Sequence, residues 1–480
     1  MTQRIMSPRQ VKFRRCSVFS PTLHLRAAAD QQANVKQNGI DISSNVMSLD
    51  IYESIFQNTL TATLRIRETH GFAEYFPLVG TESILIEFVV DLHGDEVPFR
   101  RMFRIHRLGD QTFPKNEERV YTIELVTSEF IRSVSSRVLR RFQHVTCLDA
   151  VQSILTNELG ADQTRLRPEF LEDTSGTIDI VIPNYTPLQA INFFATLALT
   201  KDTPNESNFF FFETLEGFHF ESVRQLIQHS AGTALDNLIT YEVNANKLTG
   251  GIRIADEEAY NSIIGLHQEQ TFDLLADIAS GMMRSRMLTL DVMARKWDEI
   301  DTRYTESFKQ TTHLDQYPVY PDNFDQSVDR NVKCFVVPTN ESLRNSSYVA
   351  STGETITPHK LYESVMRRNR QLRELQHLRT VLDVPGRSDL RAGTVINLIY
   401  PSSRAIQDAP DNPSMSGPTG ATPYHSGRHL VTSVRHNLTQ VSLGVMEYRM
   451  HIEACRDSFG SPMIGYQMNP TDVDKRASDV

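Results

Sequence analysis

Cysteine is scarce in this sequence: 480 residues contain four, namely Cys16, Cys147, Cys334 and Cys455. They lie far apart, and none belongs to a C-x-x-C pair or to a Cys/His cluster with metal-ligand spacing. This pattern excludes the disulfide framework that small secreted domains use. We therefore expect four reduced thiols, buried as small apolar groups, in a protein made in a cytoplasm.

Long hydrophobic runs are also missing. No stretch approaches the roughly 18 consecutive apolar residues of a membrane span, so we expect no stable membrane association. The N-terminal segment is basic, has no acidic residue before Asp30 and lacks the apolar core of a signal peptide. Its basic residues include Arg4, Arg9, Lys12, Arg14 and Arg15. The sequence predicts a basic N-terminal arm over residues 1–34 that is either flexible or docked on an acidic neighbour.

Catalytic signatures are absent. The sequence has no G-x-S-x-G, no H-E-x-x-H, no G-x-x-x-x-G-K-[ST] and no G-x-G-x-x-G. The acidic run 256–258 lacks the alternating ligands of a calcium loop, which favours a solvated turn. The histidines His425, His429 and His436 fall around one loop and strand, where ordinary surface and strand histidines are favoured over a zinc site. We predict no catalytic, cofactor-binding or metal-binding residue, and no cofactor.

Net positive charge is missing too. The 49 Lys and Arg are outnumbered by 59 Asp and Glu, which gives a formal net charge of -10. This balance argues against whole-chain binding to nucleic acid, because such binding needs a basic footprint. A chain of this length is also too long for one compact core, so two to four domains are expected.

A β domain is predicted over residues 35–130. Apolar residues alternate with polar ones around Leu60 to Ile66 and again from Ile84 to Leu92, as in half-buried strands. Turn residues at 93–95 and 107–110 separate the predicted strands. Four or more strands joined in this way need their edges covered, which favours a barrel or a sandwich.

An α+β insertion is predicted over residues 131–232. Thr146 with Asp149, and Thr186 with Gln189, have the capping-box spacing that begins a helix, and Pro187 fits the first helical position. Two phenylalanine-rich runs between 209 and 220 flank a Gly-containing turn and predict a hairpin.

The rest of the chain returns to extended segments. We predict strands of a second barrel and a connecting extended segment over 233–310, then an irregular segment and a long helix over 311–380. A further β domain follows over 381–456, interrupted by a Pro-, Ser- and Gly-rich loop at 401–427. Residues 457–480 are predicted to be a poorly packed C-terminal tail.

Three segments carry a resemblance to a known family. The first is Val181 to Ile191 followed by the 209–220 hairpin, and the second is the strand-rich run 281–301 that leads to Tyr304 and Phe308. The third is a series of closing motifs: 385–386, Leu390, Gly393, 396–398, 427–436 and 448–450. In this order and spacing the chain resembles the baseplate hub proteins of contractile-tailed phages, of the T-even type, and more distantly the hub part of type VI secretion spike proteins.

The resemblance implies an α+β, mainly β fold, with two tube-type β-barrels in one chain, an α+β insertion between them and a long helix. It implies a structural protein without enzymatic activity, located in the tail baseplate of a virion and assembled in the host cytoplasm. Three chains would form a ring of six barrels that adapts the sixfold tail tube to the threefold central spike. Its partners would be tube, spike and baseplate wedge proteins, and DNA would pass through the channel without specific binding. The 401–427 loop and the basic arm depart from the family pattern.

Two other functions would require features that the sequence lacks. A tail-associated cell-wall hydrolase would need two carboxylates placed about a sugar-binding cleft, and no segment is left over for a separate compact hydrolase domain. A fibre or receptor-binding protein would show repeats or long heptads, and the sequence has neither.

Overall fold

The fold was analysed in a computed structural model of the chain. It describes residues 10–20, 39–68, 78–92, 95–115, 118–201, 206–231, 238–242, 260–270, 272–292, 295–321, 333–339, 348–349, 355–356, 358–400, 422, 424–442 and 445–463. Strands predominate and helices are segregated from the main sheet, so the predicted fold class, α+β and mainly β, is confirmed.

The strands are numbered in chain order. They are β1 Gln10–Phe19, β2 Ile40–Asp41, β3 Val46–Ser54, β4 Thr61–Glu68, β5 Ser83–Leu92, β6 Asp95–Lys115, β7 Glu118–Val126, β8 Arg141–Val145, β9 Ile178–Val181, β10 Phe209–Glu213, β11 Phe218–Ser222, β12 Thr240–Glu242, β13 Gly265–Gln270, β14 Arg284–Asp291, β15 Lys296–Arg303, β16 Tyr317–Pro318, β17 Lys333–Thr339, β18 Tyr348–Val349, β19 Thr355–Ile356, β20 Leu378–Pro385, β21 Val395–Ile399, β22 Gly427–Ser442, β23 Val445–Arg456 and β24 Ser458–Phe459.

The α-helices are fewer. They are α1 Ser128–Ser135, α2 Cys147–Asn157, α3 Pro187–Leu197, α4 Val223–Ala231, α5 Leu274–Ser280, α6 Tyr304–Phe308 and α7 Pro358–Leu375. Short 3-10 turns lie at Ser43–Asn45, Gln163–Arg165 and Pro168–Phe170. In the described part of the chain, no helix combines the length and apolar character needed to cross a membrane.

Eight antiparallel strands form a first closed circuit. In spatial order they are β22, β3, β4, β7, β6, β5, β1 and β23, and β23 pairs back with β22. The alternation predicted from the sequence is present in β4, where Ala62, Leu64 and Ile66 are buried and Arg65 and Arg67 are exposed. Because the circuit is closed, every strand in it has a neighbour on both sides, and no free strand edge is left.

The N-terminal segment takes part in this circuit, contrary to the expectation of an arm over 1–34. Strand β1 pairs with β5 along most of its length and with β23 at its start. Cys16 and Val18 are fully buried, whereas Lys12 and Arg14 are exposed. The apolar residues between the basic ones thus form the inner face of a strand, a pattern that the cluster of arginines concealed. Residues 1–9 and 21–38 lie outside the described residues.

A second circuit shares the β22–β23 hairpin with the first. Its strands are β12, β21, β22, β23, β20 and β13. The two ends meet where Glu242 of β12 forms a bridge with Ser262, just before β13 begins. Only β12, β13 and a short connection of the predicted 233–310 segment join this circuit. Strands β14 and β15 instead belong to a separate sheet, in which β14 pairs antiparallel with β15 and parallel with β17.

Side chains fill the interior of both circuits. One continuous hydrophobic cluster runs through them and contains residues from β1, β3 to β7, β20, β22 and β23. Leu64, Phe103, Tyr448 and Ile452 are each at most 2% exposed within it. An eight-stranded barrel is just wide enough for its side chains to fill, so neither circuit leaves an open pore through a single chain.

The insertion contains the predicted helices and hairpin. Both capping boxes are confirmed: Thr146 accepts from the Asp149 backbone N–H and Thr186 from the Gln189 backbone N–H, and each partner side chain reaches back to the cap. Strands β10 and β11 pair from Phe209 to Ser222, and every residue of both strands is buried. Helices α2 and α3 pack their apolar faces into a second core with this hairpin.

The long helix ends earlier than expected. Helix α7 ends at Leu375. Strand β20 begins at Leu378, inside the segment 311–380 to which the long helix was assigned. In β20 Leu378, Thr380, Leu382 and Val384 alternate as buried positions, so a period of two replaces the helical period. The side chains of Leu361 and Val365, in the first half of this helix, lie outside the described residues.

Two further local predictions differ from the structure. Strand β6 continues through the turn expected at 107–110, where register shifts and a positive φ of 51° at Asp110 mark bulges. The expected tail 457–480 begins with buried residues: Asp457, Ser458 and Phe459 are at most 6% exposed, and β24 pairs with β16. Residues 464–480 and 401–421 of the predicted tail and loop lie outside the described residues.

Candidate functional site

The three histidines considered for zinc are not arranged as a metal site. His429 is buried, and burial with the nearby charge of Arg456 lowers the pKa of its imidazole to about 3. His436 is buried elsewhere on β22, with Nδ1 2.8 Å from the hydroxyl of Tyr448. Across the described ranges no group of three or more His, Cys, Asp or Glu is placed to hold a metal ion. The acidic run 256–258 lies outside those ranges.

The cysteines carry no site either. Cys16, Cys147 and Cys455 are buried, as expected, and all four are free thiols. Burial raises the pKa of the Cys455 thiol to about 12, which keeps it protonated and unreactive. Cys334 is exposed on β17, so the expectation of burial is wrong for this residue.

The shared hairpin is the feature that joins the two barrels. Along β22, residues 433–439 pair with β3 of the first circuit, while 427–430 pair with β21 of the second. Along β23, residues 445–447 pair with β1, while 449–456 pair with β20. Each of the two long strands therefore uses one end for each barrel, and the barrels are fixed to each other by main-chain hydrogen bonds.

The buried carboxylate of Glu53 lies where the barrels contact the insertion. Glu53 of β3 is 2% exposed and accepts hydrogen bonds from the backbone N–H groups of Leu215, at 2.6 Å, and of Ala392, at 3.1 Å. Burial alone would raise the pKa of this carboxyl, but His436 and the two N–H groups lower it below its usual range. One ionised side chain on β3 thus ties the hairpin loop of the insertion to the turn before β21.

A second buried charge cluster fixes the insertion to the first barrel. Glu213, at the end of β10, contacts Arg165, lies 3.5 Å from Arg101 of β6 and accepts from the backbone N–H of Leu60 at 3.0 Å. Arg165 also bonds Glu129 of α1 at 2.8 Å. Burial raises the pKa of Glu213 although both guanidinium groups oppose that shift. The cluster positions two folding units and holds no exposed reactive group.

A small polar cavity lies where the insertion, α7 and the C-terminal segment meet. Its volume is about 20 Å³, room for a single water, and its walls include Glu206, Glu374, His313 and Asp457. His313 lies 3.0 Å from Asp457. The charge of Asp457 outweighs burial and raises the pKa of the His313 imidazole, and His313 in turn helps to lower that of Asp457. A cavity of this size cannot admit a sugar, so these carboxylates do not form a hydrolase cleft.

The β6–β7 hairpin is the main exposed projection of the first barrel. Residues 109–114 of β6 are intermediate or exposed, and Phe113 is 62% exposed. Arg119 of β7 stacks over its ring at 5.2 Å. A long hairpin that extends past the barrel core offers strand edges and an aromatic group to a neighbouring molecule.

Sequence reasoning missed the buried charges that join the units. No strand was predicted from the sequence at residues 46–54, where Glu53 lies, and Glu213 follows four phenylalanines. A carboxylate directly beside such an apolar run is the one local signal that indicates a buried, paired charge. Its partners Arg101 and Arg165 come from distant segments, and no local pattern connects them.

Comparisons with known proteins found matches among solved structures alone. No protein-family model matches the sequence, and no curated protein matches it. A tail protein from Neisseria meningitidis MC58 matches at 11% identity and a TM-score of 0.47, covering 92% of this chain and 96% of that chain. A 43 kDa tail protein of prophage MuSo2 from Shewanella oneidensis matches at 9% identity and a TM-score of 0.48, covering 93% of this chain and 99% of that chain.

A further match is a chain of the Francisella PdpA-VgrG complex, at 9% identity and a TM-score of 0.42. It covers 95% of this chain and 59% of that chain. These matches agree with the resemblance to phage tail and type VI spike proteins described from the sequence. Their TM-scores all lie below 0.5, so the functional proposal rests on the geometry of this chain.

Proposed function

We propose that this chain is the structural hub of a phage tail baseplate, in which three copies form a ring of six barrels. The observation that carries the proposal is the pair of closed strand circuits that share β22 and β23. This sharing fixes two barrels in one chain at one relative orientation. Three such chains present six barrels to a sixfold tube while keeping a threefold axis for a spike.

The filled interiors support a ring of several chains. Because side chains occupy both circuits, a passage for DNA has to run between barrels of different copies and not through one barrel. The projecting β6–β7 hairpin then supplies one contact with a neighbouring molecule. Tube protein would stack on one side of this ring, spike protein on the other, and wedge proteins around it.

The charge of the chain supports a channel that DNA passes without binding. With a formal net charge of -10, an acidic or neutral wall would repel the polyanion and keep it from adhering during ejection. The hub has no enzymatic role in this proposal. Its buried carboxylates and histidines hold parts of the chain together instead of meeting a substrate.

The solution mass of the purified full chain tests the proposal. Light scattering after size exclusion should give three times the 54.7 kDa of one chain. The ring would be contradicted by a mass of one chain that stays constant as the protein concentration is raised, and a peptidoglycan-cleavage assay would then test the hydrolase function.

A further inference from the structure

Helix α1 is built with its polar side inward. Glu129 and Ser133 are 4% and 2% exposed, whereas Phe130 and Val134 are 39% and 61% exposed. Phe130 and Val134 are four residues apart, so they lie next to each other on one face of the helix. A surface helix of an isolated globular protein has the opposite arrangement. The exposed apolar face of α1 therefore indicates a site where another surface binds.

Buried partners fix this orientation of the helix. The hydroxyl of Ser133 accepts a hydrogen bond from the backbone N–H of Leu188 at 3.2 Å. Glu129 accepts from Arg165 at 2.8 Å, within the cluster that holds the insertion on the barrel. Rotating α1 to bury Phe130 would break both contacts and leave buried polar groups unpaired.

Basic side chains surround the exposed apolar residues of α1. Leu139, just after the helix, is 70% exposed, and Arg137 and Arg141 are exposed beside it in the chain. Among the described residues, no ion pair involves either of these two arginines. We name this surface the basic apolar face, and its residues are Phe130, Val134, Arg137, Leu139 and Arg141.

Helix α5 also turns a carboxylate inward. Asp277 is fully buried and accepts from Arg373 at 2.7 Å and from the hydroxyl of Tyr320 at 2.8 Å. Leu274 and Ile278 pack against a hydrophobic core. In contrast, Leu275 is 81% exposed and Phe272, just before the helix, is 69% exposed.

The surroundings of α5 are acidic. Here four carboxylates share two guanidinium groups: Glu269, Asp273, Asp277 and Glu453 with Arg373 and Arg379. Glu269 and Asp273 keep 46% and 47% of their side chains exposed. We name this second surface the acidic apolar face, and its residues are Glu269, Phe272, Asp273 and Leu275.

The geometry points to a contact between copies of this chain, in which the basic apolar face of one copy docks on the acidic apolar face of the next. This inference rests on the proposed ring and names the surfaces that close it. Apolar centres with rims of opposite charge are complementary, and the charges set the pairing and its orientation.

Pairing of like faces is disfavoured. Two copies related by a twofold axis would bring Arg137 and Arg141 close to the basic apolar face of the partner copy, and the charges would repel. A head-to-tail contact between different faces avoids that repulsion. Such a contact repeats from copy to copy and closes into a ring when the rotation per copy fits.

Two paired variants and a matched control test the contact in the full chain. Val134→Glu with Leu139→Glu removes the basic apolar face, and Phe272→Lys with Leu275→Lys removes the acidic one. Val336→Glu changes an equally exposed valine, 67% exposed on β17, that belongs to neither face. All five positions are solvent-exposed in the single chain, so each variant should keep the secondary structure of the unchanged chain, as measured by circular dichroism.

The expected masses follow from head-to-tail pairing. The unchanged chain and Val336→Glu should have the mass of three chains, and each paired variant alone should have the mass of one. An equimolar mixture of the two paired variants should have the mass of two chains, because each supplies one intact face.

The contact is overturned if either paired variant keeps the three-chain mass of the unchanged protein, and the ring itself would then stand. A paired variant that loses thermal stability at unchanged mass also overturns it, since the face would then be covered within the chain. A one-chain mass for the unchanged protein would overturn both the contact and the ring.

Discussion

The barrels and the insertion are held together in different ways. In the barrels, strands from opposite ends of the chain pair directly, as where Gln10 of β1 lies opposite Glu447 of β23. In the insertion, hairpin partners such as Phe211 and Phe220 lie close in sequence, and the capped helices pack on them. The barrels therefore depend on long-range closure, and the insertion depends on local structure.

This difference has consequences for cooperativity. Loss of β22 or β23 opens both circuits at once, because each strand pairs with members of both. Loss of a helix in the insertion leaves both circuits closed. We therefore expect the two barrels to unfold as one unit and the insertion to have its own free energy of unfolding. The contacts of Glu53 and Glu213 would couple the unfolding of the insertion to that of the barrels.

Removing a core side chain from the shared hairpin should have the largest effect. Ile452 of β23 is fully buried between Leu382 of β20 and Val434 of β22, so Ile452→Ala should destabilise the chain by about 4 kcal/mol. Hydrogen exchange should show faster exchange in both circuits. The matched variant Ile191→Ala, fully buried in α3, should cost a similar amount but speed exchange in the insertion alone. Faster exchange in one barrel only, with Ile452→Ala, would contradict the shared-hairpin account.

A smaller effect is expected at the junction. Glu213→Gln keeps the shape but leaves Arg101 and Arg165 with too little negative charge, at a cost of about 3 kcal/mol. Differential scanning calorimetry should resolve the insertion from the barrels more clearly in this variant. The exposed Glu169 is the control, and Glu169→Gln should change stability by less than about 0.5 kcal/mol. Equal stability of both variants would mean that the buried cluster does not couple the two units.

The smallest effect is expected at a helix cap. Thr186→Ala removes the side chain that accepts from the Gln189 N–H, which should cost about 1 kcal/mol, confined to α3 and its neighbours. Urea unfolding followed by exchange of insertion amides measures this cost. Thr156→Ala, at an exposed position inside α2, provides the control and should leave stability nearly unchanged. A cap variant that destabilised the barrels as much as the insertion would show that the insertion is not a local unit.

The sequence predicted the local elements best. Capping at Thr146 and Thr186, the phenylalanine hairpin and the alternation in β4 each depend on residues within about ten positions. The pairing of β1 with β23 could not be found in this way, because no local pattern encodes a partner at the other end of the chain. The arginines around Cys16 and Val18 also hid a strand, since exposed alternate positions tolerate charge.

The candidate surfaces were less predictable than the fold. Whether Phe130 or Glu129 of α1 faces the core depends on Arg165 and Leu188, which come from other parts of the insertion. Helical periodicity alone would place the apolar residues inward. Likewise, the exposure of Leu275 follows from the hydrogen bonds that hold Asp277 inside. A helix whose apolar residues face outward for this reason can be recognised only from its tertiary contacts.

Imaging the purified assembly by electron microscopy tests the central claim most directly. Class averages down the symmetry axis should show six lobes, two per chain, around a central opening, with threefold symmetry imposed by the attached insertions. Particles with two lobes and no opening, at all concentrations, would contradict the claim that this chain forms the ring of a tail hub.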